Sequence, residues 1–159
     1  MKNVRAKKYL GQHFLNDEKI AKSITDLLSE NTEKVIEIGP GMGVLTQFLC
    51  KKEIDLKLVE IDKESILYLT LHYPQLKKNM LETDFLKLNL QETFGNNFSL
   101  IGNFPYNISS QILFAVYENK DIIPEVVGMF QKEVAERIIA ETNNKNYGRL
   151  AVLSSWKLN

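Results

Sequence analysis

A single cysteine, Cys50, in 159 residues leaves no disulfide framework and no thiolate metal site, which suits a reducing cytosol. Long apolar runs are missing too. The longest, Ile112 to Tyr117, falls far short of the roughly 20 residues that a membrane span needs. The basic N-terminus has no apolar stretch behind it, so a secretory signal is not expected. Glycine (8) and proline (4) are sparse, and 44% hydrophobic with 25% charged residues is ordinary. Collagen-like, repetitive and disordered chains are thereby excluded. Net charge is absent as well, with 20 Lys and Arg against 20 Asp and Glu. Taken alone, that argues against a nucleic-acid partner. The average hides an asymmetry, however. Residues 1–22 hold Lys2, Arg5, Lys7, Lys8, Lys19 and Lys22 against Asp17 and Glu18, a net +4, so the remainder sums to −4. A basic arm of this kind can lie on phosphate, or it can simply be solvated.

What is present reads as one α/β domain of ordinary size. Asn16 is placed as the N-cap of a helix carrying Ile20, Ile24, Leu27 and Leu28, ending near Ser29–Asn31. Strands are expected at Val35–Ile38, Leu56–Ile61, Lys78–Asp84, Ser99–Asn103, Val126–Phe130 and Leu150–Leu158. Helices are expected around Leu45–Leu49, over Lys63–His72, from Ser109 or Ser110 to Tyr117, and over Lys132–Glu141, with a polar connection at Asn89–Asn97. Strands alternating with helices at this spacing indicate a parallel sheet with right-handed crossovers.

In such sheets ligands gather beyond the carboxyl ends of the strands, and three of those ends are unusual. Glu37-Ile38-Gly39-Pro40-Gly41-Met42-Gly43 spaces its glycines G-x-G-x-G, so the dinucleotide pattern G-x-G-x-x-G fails at Val44. Such glycines admit close approach of a ligand to backbone N–H groups. Glu37 suits an ammonium group better than a pyrophosphate, which favours S-adenosylmethionine over NAD; a tight structural turn is the plainer alternative. Glu60 lies 21 residues after Gly39, where a carboxylate can accept from both hydroxyls of a ribose, leaving Asp62 to cap the following helix. Asn103-Phe104-Pro105-Tyr106 ends a later strand. The Asn103 side-chain oxygen and the Phe104 carbonyl can accept both protons of a nucleobase amine, turning its lone pair outward and stabilising the charge that develops. Tyr106 offers a ring for a flipped base. Asp84, closing the third strand, can accept from the amino group of a cofactor adenine or serve as a cap. Cys50 reads as a small buried thiol rather than a nucleophile, and His72 as a solvated or capping residue. Lys132, Arg137 and Arg149 are candidates for RNA phosphates, though exposed basic residues are commonly just solvated.

Together and in order, Lys8-Tyr9-Leu10-Gly11-Gln12-His13-Phe14-Leu15, the Glu37–Gly43 turn, Glu60, Asp84, Asn103-Phe104-Pro105-Tyr106-Asn107, Phe130–Arg137 and Tyr147-Gly148-Arg149-Leu150 resemble a known family. It is that of the ribosomal RNA adenine N6,N6-dimethyltransferases, particularly the bacterial small-subunit (16S) KsgA group, and the resemblance spans essentially the whole chain. It implies a Rossmann-like class I S-adenosylmethionine-dependent methyltransferase fold, mainly parallel, with helices on both faces. It further implies dimethylation of two adjacent adenines near the 3′ end of 16S rRNA, late in small-subunit assembly in the cytoplasm. Neither a metal, a membrane nor an obligate protein partner is implied. Carried onto this sequence, the cofactor falls to His13, Leu15, Gly39, Gly41, Glu60, Asp84 and Asn103, and the chemistry to Asn103, Phe104 and Tyr106. His13 replaces a more usual Asn and can still donate a hydrogen bond. Phe104 replaces a more usual Leu, and only its carbonyl is required.

The nearest rival is a 23S rRNA adenine methyltransferase of the antibiotic-resistance type, against which Leu10-Gly11-Gln12 and Gln131-Lys132-Glu133 weigh. A non-catalytic RNA-binding assembly factor sits poorly with intact Asn103 and Tyr106, and a DNA adenine methyltransferase would lack the arm motif. The expected organisation is a basic arm, residues 1–15, and a catalytic domain, residues 16–159. The resemblance also implies a further strand and a small helical RNA-binding domain beyond Asn159. If the chain stops there, Leu150–Leu158 is expected to pair across molecules or directly on the fifth strand.

Overall fold

Alternating apolar residues whose two sides are both buried force the central strands into a parallel sheet covered on each face. In a computed structural model, Arg5, Lys7 and residues 15–134, 136–137 and 149–154 are described, the last of these as backbone. Six strands, β1 (Lys34–Ile38), β2 (Asp55–Glu60), β3 (Met80–Glu82), β4 (Ser99–Asn103), β5 (Glu125–Phe130) and β6 (Arg149–Ser154), form one sheet. Their order is β3-β2-β1-β4-β5-β6, and every pairing is parallel. The helices are α1 (Glu18–Asp26), α2 (Thr46–Leu49), α3 (Lys63–His72), α4 (Leu90–Phe94) and α5 (Ser109–Glu118). Ile36, Leu100, Val126 and Phe130 point into one core layer with Phe98, Phe104 and Ile112. Val35, Ile101, Val127 and Met129, their sequence neighbours, point into the other with Ala21, Ile24 and Leu49. That alternation is the period-two geometry of a strand. Among the described residues, no helix is long and apolar enough to cross a membrane.

Several boundaries move for local reasons. Asp17, not Asn16, caps α1: its carboxylate accepts from the N–H of Lys19 and Ile20, and the helix ends at Asp26. α5 starts at Ser109 with no side-chain cap; the Ser109 hydroxyl instead donates back to the Tyr106 carbonyl. The expected polar connection contains α4, capped by Asn89. β3 shrinks to three residues because Pro74–Asn79 forms a 3₁₀ turn before it and Asp84 starts another after it. Cys50 is exposed, not buried, since it follows the last residue of the four-residue α2 on its solvent side. His72 is exposed and stacks on Tyr68 with ring centroids 3.9 Å apart. Residues 138–148 and 155–159 lie outside the described residues, so the helix expected over Lys132–Glu141 is seen only at 132–134 and 136–137. β6 pairs directly with β5, from Glu125 opposite Arg149 to Phe130 opposite Ser154.

Candidate active site

The chain winds outward from β1 to β2 and β3, returns, and winds the other way through β4, β5 and β6. A crevice therefore opens where β1 and β4 lie side by side, beyond their carboxyl ends. Both unusual turns sit there. Gly39, Gly41 and Gly43 take φ of +64°, +57° and +79°, a region that side chains rarely enter. Their turn is pinned by Gly39 N–H donating to the Val59 carbonyl at 2.9 Å and Gly43 N–H to Pro40 at 2.8 Å. A Cβ added to Gly39 would touch Pro105 Cγ at 3.6 Å. The glycine turn and the Asn103–Tyr106 turn thus approach so closely that one methyl group on Gly39 would close the gap to Pro105.

Two buried carboxylates hold this crevice from below. Glu60, 4% exposed, accepts from the N–H of Gly41 (3.0 Å) on Oε2 and from those of Ile61 (2.9 Å) and Asp62 (3.0 Å) on Oε1. Burial raises its pKa above the ordinary value, against the pull of those three donors. Glu37, 1% exposed, accepts from the Thr46 hydroxyl at 2.7 Å. Burial pushes it up to about 8, opposed by the Thr46 hydrogen bond and assisted by the charge of Glu60. Glu37 therefore ties the end of β1 to the start of α2 through the Thr46 hydroxyl. The helix after the turn is the four residues of α2, and the Gly41 N–H ahead of it is held by Glu60.

At the end of β4, Asn103 and Tyr106 are partly buried. The side-chain oxygen of Asn103 is buried. Phe104 is 1% exposed, and its N–H donates to the Met129 carbonyl at 3.2 Å. Its ring stacks on Phe130 and covers Gly102 and Gly128, where an added Cβ would fall 3.3 Å and 2.2 Å from it. Sequence reasoning assigned Phe104 only a carbonyl and missed both glycines; two glycines directly paired on adjacent strands (Gly102 opposite Gly128) were the available signal. Asp84 caps the next 3₁₀ turn by accepting from Leu86 N–H at 3.0 Å, and it remains partly exposed. Leu15 packs beside the glycine turn, bordering a cleft of about 270 Å³ with Met42, Gly43, Val44 and Tyr73. His13 lies outside the described residues. Asp62 caps α3 as expected, its Oδ2 accepting from Ser65 N–H and hydroxyl at 3.0 and 2.8 Å. Its ion pair with Lys7 had no sequence signal. Among the described residues no group of three or more His, Cys, Asp or Glu is arranged to hold a metal ion.

Comparison with known proteins agrees with this geometry. The model of the family described as "Ribosomal RNA adenine dimethylase" matches residues 3–159. A "Ribosomal RNA small subunit methyltransferase A" of Flavobacterium johnsoniae is 55% identical over 156 residues, covering 97% of this chain and 60% of that protein. One of the same name from Bacteroides fragilis is 57% identical over 155 residues, covering 96% and 57%. The chain thus spans less than two thirds of the length of these curated relatives. Among solved structures, the 23S rRNA methyltransferase ErmE superposes with a TM-score of 0.70 at 26% identity, covering 81% of this chain and 52% of that one. A dimethyladenosine transferase from Plasmodium falciparum superposes at 0.65 and 30% identity, covering 85% and 49%. The α/β sheet is accordingly the Rossmann-like sheet of class I methyltransferases, and with a family model matched across nearly its whole length, this chain belongs to the ribosomal RNA adenine dimethylase family.

Proposed function

We propose that this chain is the catalytic part of a 16S rRNA adenine N6,N6-dimethyltransferase acting in the cytoplasm on the small ribosomal subunit during its assembly, with S-adenosylmethionine as methyl donor. The observation that carries the reading is the close approach of the glycine turn after β1 to the Asn103-Phe104-Pro105-Tyr106 turn after β4. It brings a cofactor-type loop and an amine-binding loop to one crevice. The buried Asn103 oxygen and the buried Glu60 carboxylate fit a ligand rich in N–H and O–H donors.

When bound, S-adenosylmethionine supplies a methyl group already activated by a sulfonium charge. Glu60 would accept from its ribose hydroxyls and Asp84 from its adenine amino group, Gly39, Gly41 and Leu15 would line its place, and His13 is assigned to it by the family resemblance alone. Asn103 and the Phe104 carbonyl accept both protons of the target adenine amine. That takes the lone pair out of ring conjugation and stabilises positive charge as it develops on nitrogen. Tyr106 stacks on the flipped base. No residue here needs to act as a nucleophile; positioning and electrostatic stabilisation carry the rate.

The test is transfer of labelled methyl groups to undermethylated small subunits, large subunits and DNA, with the modified base mapped. Label on adjacent adenines near the 3′ end of 16S rRNA is the expected result, falling roughly 100-fold or more in Asn103→Ala. Label only in large subunits or DNA, or full rate in Asn103→Ala, overturns the reading. The curated relatives favour the small-subunit assignment over the 23S alternative, since both are named small-subunit methyltransferases.

A further inference from the structure

Lys7, far from the glycine turn in sequence, is tied into the same hydrogen-bond network. Its ammonium pairs with Asp62 Oδ1 at 2.5 Å and with Glu64 at 3.2 Å. The Asp62 carboxylate is 2% exposed and Lys7 23%, so the pair is shielded from solvent to a degree that surface ion pairs are not. From Asp62 the connections run inward. Its own N–H donates to Glu60 Oε1, and Glu60 Oε2 takes the Gly41 N–H. An arm residue, the cap of α3, the ribose-side carboxylate and the glycine turn thereby form one continuous chain of polar contacts. The segment between Lys7 and Leu15 carries His13, and both of its described ends rest on the rim of the crevice: Lys7 at the cap of α3, Leu15 beside the glycine turn.

We propose that Lys7 is a positioning residue, a latch on Asp62 that fixes the Asp62–Glu60–Gly41 network beside the cofactor crevice and so sets cofactor affinity. It acts through Asp62 and Glu60, not by touching the cofactor. The inference rests on the cofactor reading above. Asp62 responds as a latch partner should: burial raises its pKa, but Lys7 and Ser65 outweigh burial and leave it below the ordinary value, so the carboxylate is charged throughout the working range. Because the latch is an ion pair, the affinity it supports weakens as salt rises.

The experiment is calorimetric titration of S-adenosylhomocysteine into the unsubstituted chain, Lys7→Met, Lys7→Arg, Asp62→Asn and the Lys7→Met/Asp62→Asn double variant. Each is run at about 0.05 M and about 0.5 M salt, which spans strong and weak screening. This probe is a zwitterion without net charge, so general attraction to the arm contributes little. Lys7→Met is expected to weaken binding roughly fivefold or more at low salt and to lose most of the salt dependence. Lys7→Arg restores both. Asp62→Asn, which keeps the cation and can still cap α3, weakens binding as well, and the double variant is no weaker than the single ones. Melting temperatures stay close to that of the unsubstituted chain. Unchanged affinity and salt dependence in Lys7→Met, or independent, additive losses in the double variant, overturn the latch alone. No binding by the unsubstituted chain overturns the cofactor reading and the latch with it.

Discussion

The rings of Phe104 and Phe130 stack with centroids 4.5 Å apart and planes inclined at 23°. Phe104 belongs to the turn that bears Asn103, and Phe130 is the last residue of β5. The stack therefore ties the Asn103-bearing turn to the neighbouring strand through a fully buried contact. It is possible because the sheet beneath carries Gly102 and Gly128 side by side.

Gly128→Ala tests this arrangement. The new Cβ would fall 2.2 Å from a Phe104 ring carbon and 2.4 Å from the Gly102 carbonyl oxygen, which as backbone cannot swing away. Overpacking of this kind costs about 1–3 kcal/mol, read as a lower denaturant midpoint. Methyl transfer falls further than stability accounts for, because Asn103 shifts with Phe104. Combining it with Phe104→Leu recovers part of the stability only, since the clash with Gly102 remains.

Stability should also depend on pH through Glu37. Its pKa lies at about 8 in the folded chain against an ordinary 4.5. Between those values the folded chain keeps a proton that the unfolded chain has released, so stability falls as pH rises from about 4.5 to about 8. One such group contributes up to about 1.4 kcal/mol per pH unit. Glu37→Gln keeps an oxygen for the Thr46 hydroxyl and removes the titration. The variant's melting temperature is expected to fall less than that of the unsubstituted chain across this window, and parallel curves would exclude Glu37 as the source.

Glu125 makes a second buried clamp, at the opposite end of the sheet. Its Oε1 accepts from the Ser29 N–H and hydroxyl at 3.1 and 2.8 Å; its Oε2 accepts from the Thr32 and Ser99 hydroxyls at 3.0 and 2.9 Å. The connection from α1 to β1 is fastened to β4 and β5 by this one side chain. Glu125→Ala deprives these buried donors of their acceptor and costs roughly 2–4 kcal/mol, measured by denaturant unfolding. Under native conditions S-adenosylhomocysteine affinity is unaffected, because the clamp lies at the amino ends of the strands and the crevice at the carboxyl ends.

How much of this was legible before the fold depended on the range of the interaction. Strands such as Ser99–Asn103 and the helix Lys63–His72 are visible in local pattern alone, because burial on two faces and capping by Asp62 leave their mark within a few residues. The start of α1 shifted from Asn16 to Asp17 because both are good caps and only backbone geometry chooses between them. α4 was missed because its five residues carry little periodicity. The glycines of the first turn were likewise readable one by one, since their positive φ values demand them. Composition and motif spacing by themselves determined the α/β class and singled out the groups proposed to meet a cofactor and a base. Only the tertiary structure decided that Glu37 meets Thr46, that Phe104 packs over two glycines, and that Lys7 reaches Asp62. These join a strand to the helix after it, a turn to two paired strands, and residues 55 positions apart, and the placement of such pairs comes from how the elements pack, which no local stretch of sequence encodes.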